Sequence, residues 1–150
     1  MAAKGKEQDE LRQLSVEMRY LEQAAETLQQ RMSMLNAAMT DLSYANTTLD
    51  GVEKEKETAE MLVPIGGGSY VKTKLACVDK VIVSMGAGVS VEKPIAEAKA
   101  MLKERLDELE KSAVAAQQQF SQIAERINVG RNRLETLLSS VREEKAAGNV

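Results

Sequence analysis

Apolar residues recur along the first third of the chain at alternating steps of three and four positions, from Leu11 to Leu49. This spacing is typical of a coiled-coil seam, and it continues for more than the roughly three to four heptads that such an assignment needs. The pattern predicts a helix over residues 9–51, with Asp9 as its N-cap and Gly51 as its end. The predicted seam is Leu11, Leu14, Met18, Leu21, Ala25, Leu28, Met32, Leu35, Met39, Leu42, Asn46 and Leu49.

The last third of the chain repeats this pattern and predicts a second helix over residues 94–144. Pro94 suits the first helical turn, because its missing N–H has no partner there. Each seam needs a partner helix, so the simplest arrangement is an antiparallel hairpin that brings Leu11 near Leu134 and places both termini at its free end. The second seam is Leu102, Leu106, Leu109, Ala113, Ala116, Phe120, Ile123, Ile127, Gly130, Leu134, Leu137 and Val141.

The centre, residues 60–93, has the alternation and glycine turns of two β-hairpins. Both glycine-rich turns, 66–68 and 86–88, lead into strands, whereas phosphate-binding loops open a helix, so they are interpreted as tight turns. Four short strands are too few for a stable sheet, and their edges need another chain. The sequence therefore predicts oligomerisation through Val63, Ile65, Val71, Val81, Val83, Val89 and Val91.

Composition argues against an enzyme. Hydrophobic residues make up 43% of the chain and aromatic residues only 3%, a composition typical of coiled coils. The chain has no histidine, so its commonest general base and metal ligand is missing, and no metal or cofactor is expected. A lone Cys77 forms no internal disulfide and is expected to be a buried or partly buried small hydrophobe.

Charge is balanced and gives no sign of a nucleic-acid partner. The chain carries 20 basic and 23 acidic residues, a net charge of -3, and no basic stripe stands out in any segment. No apolar run approaches the length of a membrane span, and the first ten residues lack the apolar core of a signal peptide. A cytoplasmic protein without membrane or nucleic-acid partners is expected.

The segments Leu62–Val71 and Val81–Val89, followed by a helix near Pro94, resemble the α-type subunits of the prefoldin family. The two hairpins are the specific feature, since β-type prefoldin subunits resemble a single hairpin between helices. The resemblance implies a mainly α chain, a long antiparallel coiled-coil hairpin whose strands join an intersubunit β-barrel. It also implies a hexamer of two α-type and four β-type subunits, which holds unfolded proteins without ATP and passes them to a group II chaperonin.

Client binding is then expected at the free end of the helices. Val16 and Leu138 lie off the seams there, and Gly130 on the seam is expected to leave a packing gap that lets the end splay open. A structural coiled-coil scaffold, or a homo-oligomeric filament component, is the alternative function. The predicted client-binding residues are Leu11, Leu14, Val16, Met18, Leu134, Leu137, Leu138 and Val141.

Overall fold

The computed structural model describes residues 2–148, with side chains described from residue 5 onward. In chain order, two long helices flank four short strands. The elements in chain order are α1 Ala2–Lys54, β1 Glu60–Gly66, β2 Ser69–Lys74, β3 Lys80–Gly86, β4 Val89–Pro94 and α2 Ile95–Ala147. The predicted fold class is confirmed at the level of the chain, while assembly of the strands into a barrel stays a prediction.

Both predicted ends of the first helix are wrong. The helix begins at Ala2 and already runs through Asp9, which therefore is not an N-cap; no proline precedes it, and Gly5 is itself helical. At the other end, Gly51 is helical and lacks the positive φ of a helix-terminating glycine. Val52, three residues beyond Leu49, continues the apolar spacing and is half-buried. Continued burial of the seam thus carries the helix past the glycine to Lys54.

The second helix begins one residue later than predicted. Pro94 is the last residue of β4, where it pairs with Lys80, and the helix starts at Ile95. The Ile95 amide donates to the carbonyl of Asp79 across 3.0 Å, so this bond ties the first helical residue to the start of β3. Proline here closes the strand instead of opening the helix.

The central strands form two separate antiparallel hairpins, as predicted. β1 pairs with β2, β3 pairs with β4, and each pair is a two-stranded sheet. Three successive residues in each turn have positive φ, namely 66–68 and 86–88. Glycine occupies five of these six positions because it adopts that region without a Cβ clash, and Ala87 is the exception.

The chain divides into two compact units. The helical unit comprises residues 1–36 and 112–150, of which 2–36 and 112–148 are described; the strand unit is Ala37–Lys111. In the helical unit, Glu10 contacts Arg133 and Glu17 contacts Arg126, so the two helices run antiparallel there, as predicted. The buried apolar residues are Met18, Leu21, Ala116 and Leu137 in the helical unit and Val83, Ile95 and Ala98 in the strand unit.

Every predicted seam residue of both helices is buried or half-buried, including Asn46 and Gly130. The heptad spacing therefore identified the inward face of each helix correctly. Within residues 2–148, neither helix contains a stretch apolar enough to cross a bilayer.

Candidate functional site

The predicted oligomerisation residues lie on a largely exposed apolar surface of the two hairpins. Val83 is the exception: it is only 7% exposed and belongs to the core of the strand unit, and Val81 beside it on the same strand face is half-buried. The remaining five residues are exposed, and they are Val63, Ile65, Val71, Val89 and Val91.

The hairpins expose further apolar side chains that the sequence analysis did not single out. Met61, Leu62 and Tyr70 lie on the first hairpin, and Ile82 and Met85 lie on the second. Strict alternation places Leu62, Tyr70 and Ile82 on the face opposite the predicted valines, so the pattern gave no reason to choose these three. Met61 and Met85 lie two residues from Val63 and Val83, on the predicted faces. Apolar side chains on both faces of an exposed two-stranded sheet indicate a protein-interaction surface.

The second hairpin is anchored to α2 through its backbone. A guanidinium Nη2 of Arg105 donates to the carbonyl of Ser84 across 2.7 Å. The helix start that follows this hairpin is buried at Ile95 and Ala98. At the base of the first hairpin, outside its β1–β2 ladder, the Thr58 amide donates to the Leu75 carbonyl and the Leu75 amide donates to the Ala59 carbonyl.

The predicted client-binding residues divide into three levels of exposure. Val16 and Leu138 are exposed, as expected of residues off the seam. Met18 and Leu137 are buried in the core of the helical unit. The other four are half-buried, and they are Leu11, Leu14, Leu134 and Val141. The structure thus brings the predicted residues of the two helices together, but in the closed arrangement only the off-seam pair is freely available.

The packing gap expected at Gly130 is wrong, because Met18 fills it. A Cβ added to Gly130 would lie 2.2 Å from the sulfur of Met18. Met18 is 5% exposed, and Gly130 is buried as well. The flexible thioether occupies the space that the glycine leaves, so the two residues are matched in size across the seam.

A groove beside this contact was not predicted. It has a volume of about 640 Å³, and its apolar wall includes Leu14, Met18, Leu21 and Val129. Val129 is exposed and lies off the predicted seam. Its apolar character at an outward position was the one signal in the sequence that pointed to this surface. We call this site the Met18 groove.

Ion pairs join the helices around the Met18 groove. Arg126 contacts Glu17 at 2.8 Å, and Arg133 contacts Glu10 at 2.7 Å. Arg131 contacts Glu22 at 3.2 Å. All six side chains are about half exposed or more, so each pair adds little stability. The pairs nonetheless place the arginines of α2 beside the glutamates of α1, which favours this antiparallel register.

The described residues offer no cluster of three or more histidine, cysteine, aspartate or glutamate side chains suited to a metal ion. Cys77 is exposed, so its predicted burial is wrong. It lies in the connection between the two hairpins, outside the buried cores of both units.

Comparison with known proteins decides the family. A family model described as "Prefoldin subunit" matches residues 21–140, most of the chain. This chain belongs to the prefoldin family. The match covers both hairpins and most of each helix, and it leaves out residues 2–20 of α1 and 141–147 of α2.

Several prefoldin relatives carry the name "Prefoldin subunit alpha". The protein from Methanococcoides burtonii is 35% identical over 81% of this chain and 87% of its own length. The protein from Pyrococcus horikoshii is 35% identical over 79% of this chain and 80% of its own length. The resemblance to α-type subunits, first inferred from the two hairpins, is confirmed.

A solved prefoldin structure has the same fold. It is the filamentous PFD of Methanocaldococcus jannaschii, determined by cryo-electron microscopy, with 25% identity and a TM-score of 0.65. The likeness covers 73% of this chain and 91% of the other. A chaperone-type role accordingly follows from membership of the prefoldin family.

Proposed function

We propose that this prefoldin chain is a subunit of an ATP-independent holdase. In this proposal its hairpin strands join it to β-type subunits, two α-type with four β-type, in a cytoplasmic hexamer. The free ends of its helices bind non-native proteins and deliver them to a group II chaperonin. No cofactor, membrane or nucleic acid takes part.

The observation that carries this proposal is the outward apolar surface of the helical unit. Val16 is 66% exposed and Tyr20 is 72% exposed, one helical turn apart on α1. Leu138 on α2 is also exposed. Because the seam beneath is packed, the exposed parts of these side chains are available to the apolar segments of an unfolded chain.

Assembly through the hairpins is supported by the sheet edges and apolar side chains that a single chain leaves exposed to solvent. Two separate two-stranded sheets have open edges, and isolated hairpins of this size are marginally stable. Exposed valines and isoleucine on both hairpins add an apolar contact surface to those edges. Association with other subunits removes both kinds of exposure at once.

Substitution at the free end tests client binding. We expect the triple variant Val16→Ser, Tyr20→Ser and Leu138→Ser to lose most suppression of client aggregation, measured by light scattering of a denatured enzyme diluted into buffer. The matched control is Met34→Ser with Val114→Ser, which removes two side chains of the helical unit exposed farther from the termini. Full holding activity in the triple variant would contradict binding at the free end.

A broader deletion tests the same proposal without relying on three chosen side chains. A chain lacking residues 1–16 and 135–150 keeps both hairpins, so it is expected to assemble while losing its holding activity. Assembly is measured by native mass spectrometry and holding by light scattering. Undiminished holding by this truncated chain would overturn the proposal.

A homo-oligomeric filament component is the second candidate function, and the filamentous PFD of similar fold favours it. Mixing the chain with a β-type subunit separates the two candidates. A discrete hetero-oligomer supports the holdase, whereas open-ended homopolymers that ignore the β-type subunit support the filament.

A further inference from the structure

We propose that the Met18 groove is a socket for a neutral aromatic side chain of the client. This inference rests on the proposed holdase function and deepens it, because it names the class of side chain that the helical unit selects. It follows from three features of the groove: a sulfur-bearing wall, arginines held edge-on by glutamates, and balanced charge.

Met18 lies in the wall of the groove with 5% of the residue exposed, so its thioether is at the edge of the space that a ring would enter. Met18 lines the groove, and its sulfur lies against the bare backbone of Gly130. Because Gly130 has no side chain, the thioether lies directly against the backbone of α2 at this point. Thioether sulfur interacts favourably with aromatic rings, beyond the area buried. Leu14 and Leu21 add ordinary apolar surface.

Two arginines on the rim are positioned to stack on a ring. Arg133 donates from Nε and Nη2 to a single oxygen of Glu10, at 2.9 and 2.7 Å, and Arg126 donates from Nη2 to Glu17 at 2.8 Å. These bonds use the edges of the planar guanidinium groups. The side chains remain 62% exposed for Arg126 and 51% for Arg133. Because the bonds to the glutamates use the edges, the glutamates leave the guanidinium faces uncovered, and in our proposal these faces make the cation–π contact.

Charge and size agree with a neutral ring. Glu17 and Glu125 balance Arg126 and Arg133 along the lining, so a charged side chain gains no net attraction there. The volume of about 640 Å³ lies within the roughly 300–1,000 Å³ of typical ligand sites. An aliphatic side chain of similar size would gain burial alone, without the sulfur and cation contacts.

The test compares two probes of nearly equal shape, N-acetyl-phenylalanine amide and N-acetyl-cyclohexylalanine amide. The full chain is labelled at its methionine methyls with carbon-13 and followed by NMR, and Met18→Leu identifies the Met18 signal. We expect the aromatic probe to shift the Met18 methyl through its ring current and to bind about fivefold more tightly than the saturated probe. The methyl of exposed Met34 should not move.

Equal affinity for the two probes would overturn the proposal, and so would a shift of the Met34 signal in place of the Met18 signal. A third contradicting result is no shift of the Met18 signal with either probe up to about 10 mM, a concentration at which weak binding is still detected. Each result leaves the aggregation assay of the free-end variants untouched. The socket and the holdase function can therefore fail separately.

A matched pair of arginine variants tests the rim. Arg126→Gln should reduce the preference for the aromatic probe over the saturated probe and leave the affinity for the saturated probe unchanged. Arg131→Gln is the control, because Arg131 also pairs with a glutamate of α1 but does not line the groove. Unchanged thermal unfolding shows that each variant is folded. Equal loss in both variants would assign the effect to general charge and contradict the stacking contact.

Discussion

The two hairpins have the same backbone and different surroundings. Val63 pairs with Val71 in the first hairpin, and Val83 pairs with Val91 in the second, each position 20 residues further along the chain. Both hairpins carry the same register shift at the turn and the same run of three positive φ angles. The two hairpins therefore have the same strand pairing and the same turn conformation.

Their burial differs at corresponding positions, and the described side-chain bonds tie the second hairpin to α2. Val83 is 7% exposed where its counterpart Val63 is 40% exposed. Arg105 of α2 bonds the carbonyl of Ser84, whereas the described hydrogen bonds include none to the corresponding Pro64 carbonyl. The comparison teaches that strand pattern and turn glycines make a hairpin, while contact with a helix buries one of its positions, Val83, and leaves the equivalent Val63 exposed.

Aspartate substitutions at the matched positions Val83 and Val63 should give the largest difference between the two hairpins. Val83→Asp places a carboxylate in the core of the strand unit and is expected to lower the free energy of unfolding by about 3 kcal/mol. Val63→Asp should leave the unfolding of the isolated chain nearly unchanged and weaken assembly instead. Urea unfolding measures the first effect and native mass spectrometry the second. Equal destabilisation of the chain by both variants would contradict the difference between the hairpins.

Removing the arginine anchor should have a smaller effect. Arg105→Ala deletes the bond to the Ser84 carbonyl and is expected to cost about 1 kcal/mol of stability. Hydrogen exchange should rise in the second hairpin and stay constant in the first. Lys103→Ala, an exposed position two residues earlier, is the control. An unchanged exchange rate in β3 would show that Arg105 is not an anchor.

The middle residues of the two turns, Gly67 and Ala87, can each be replaced by the residue found in the other turn. Gly67 has φ of 59° and Ala87 has φ of 51°, a region that costs an L-residue energy. Gly67→Ala is expected to destabilise the first hairpin by about 1 kcal/mol. Ala87→Gly should stabilise the second by roughly 0.5 kcal/mol, since relief of the strain is partly offset by the freedom of glycine when unfolded. Thermal unfolding of both variants checks the opposite signs.

The smallest effect concerns the start of α2, beyond the second hairpin. A hydrogen bond from Lys99, together with its charge, lowers the pKa of Asp50 from its ordinary value of 3.8. Hydrogen bonds to Asp50 and Glu53 raise the pKa of Lys99 from 10.5. The contribution from Asp50 is thus complete above pH 3.8 and is lost as pH falls through its folded pKa. The contribution from Lys99 is complete below pH 10.5 and is lost as pH rises through its folded pKa.

The stability difference between the wild type and Lys99→Met should therefore be constant between about pH 4 and 10 and should shrink on either side. All three side chains are substantially exposed, so the difference is small and falls with salt. Urea unfolding across the pH range measures it. A difference that grows in acid would contradict the ion pair.

The sequence was sufficient to predict the helices and hairpins. It was insufficient to predict which elements pack against one another. Heptad spacing identified the inward faces of both helices, and the glycine turns located both hairpins, because these signals are local. The helix end at Gly51 was misjudged, since a glycine ends a helix only if the chain turns there, and the burial of Val52 kept it helical. Tertiary packing overrode local propensity.

The interaction surfaces were only partly predictable. Val16 and Leu138 stood out because an apolar residue off the seam has no partner within the hairpin of helices. The shape of the Met18 groove was not predictable, because it depends on the fit of Met18 against Gly130 across the seam. The contrast between Val63 and Val83 likewise requires knowing which hairpin has Arg105 beside it. Residue type and spacing do not encode such pairwise fits.

Native mass spectrometry of the wild-type chain, alone and mixed with a β-type prefoldin subunit, tests most directly whether exposed hairpins join this subunit to others. The account predicts one discrete complex with two copies of this chain and four of the β-type subunit. A chain that stays monomeric in both samples would contradict it.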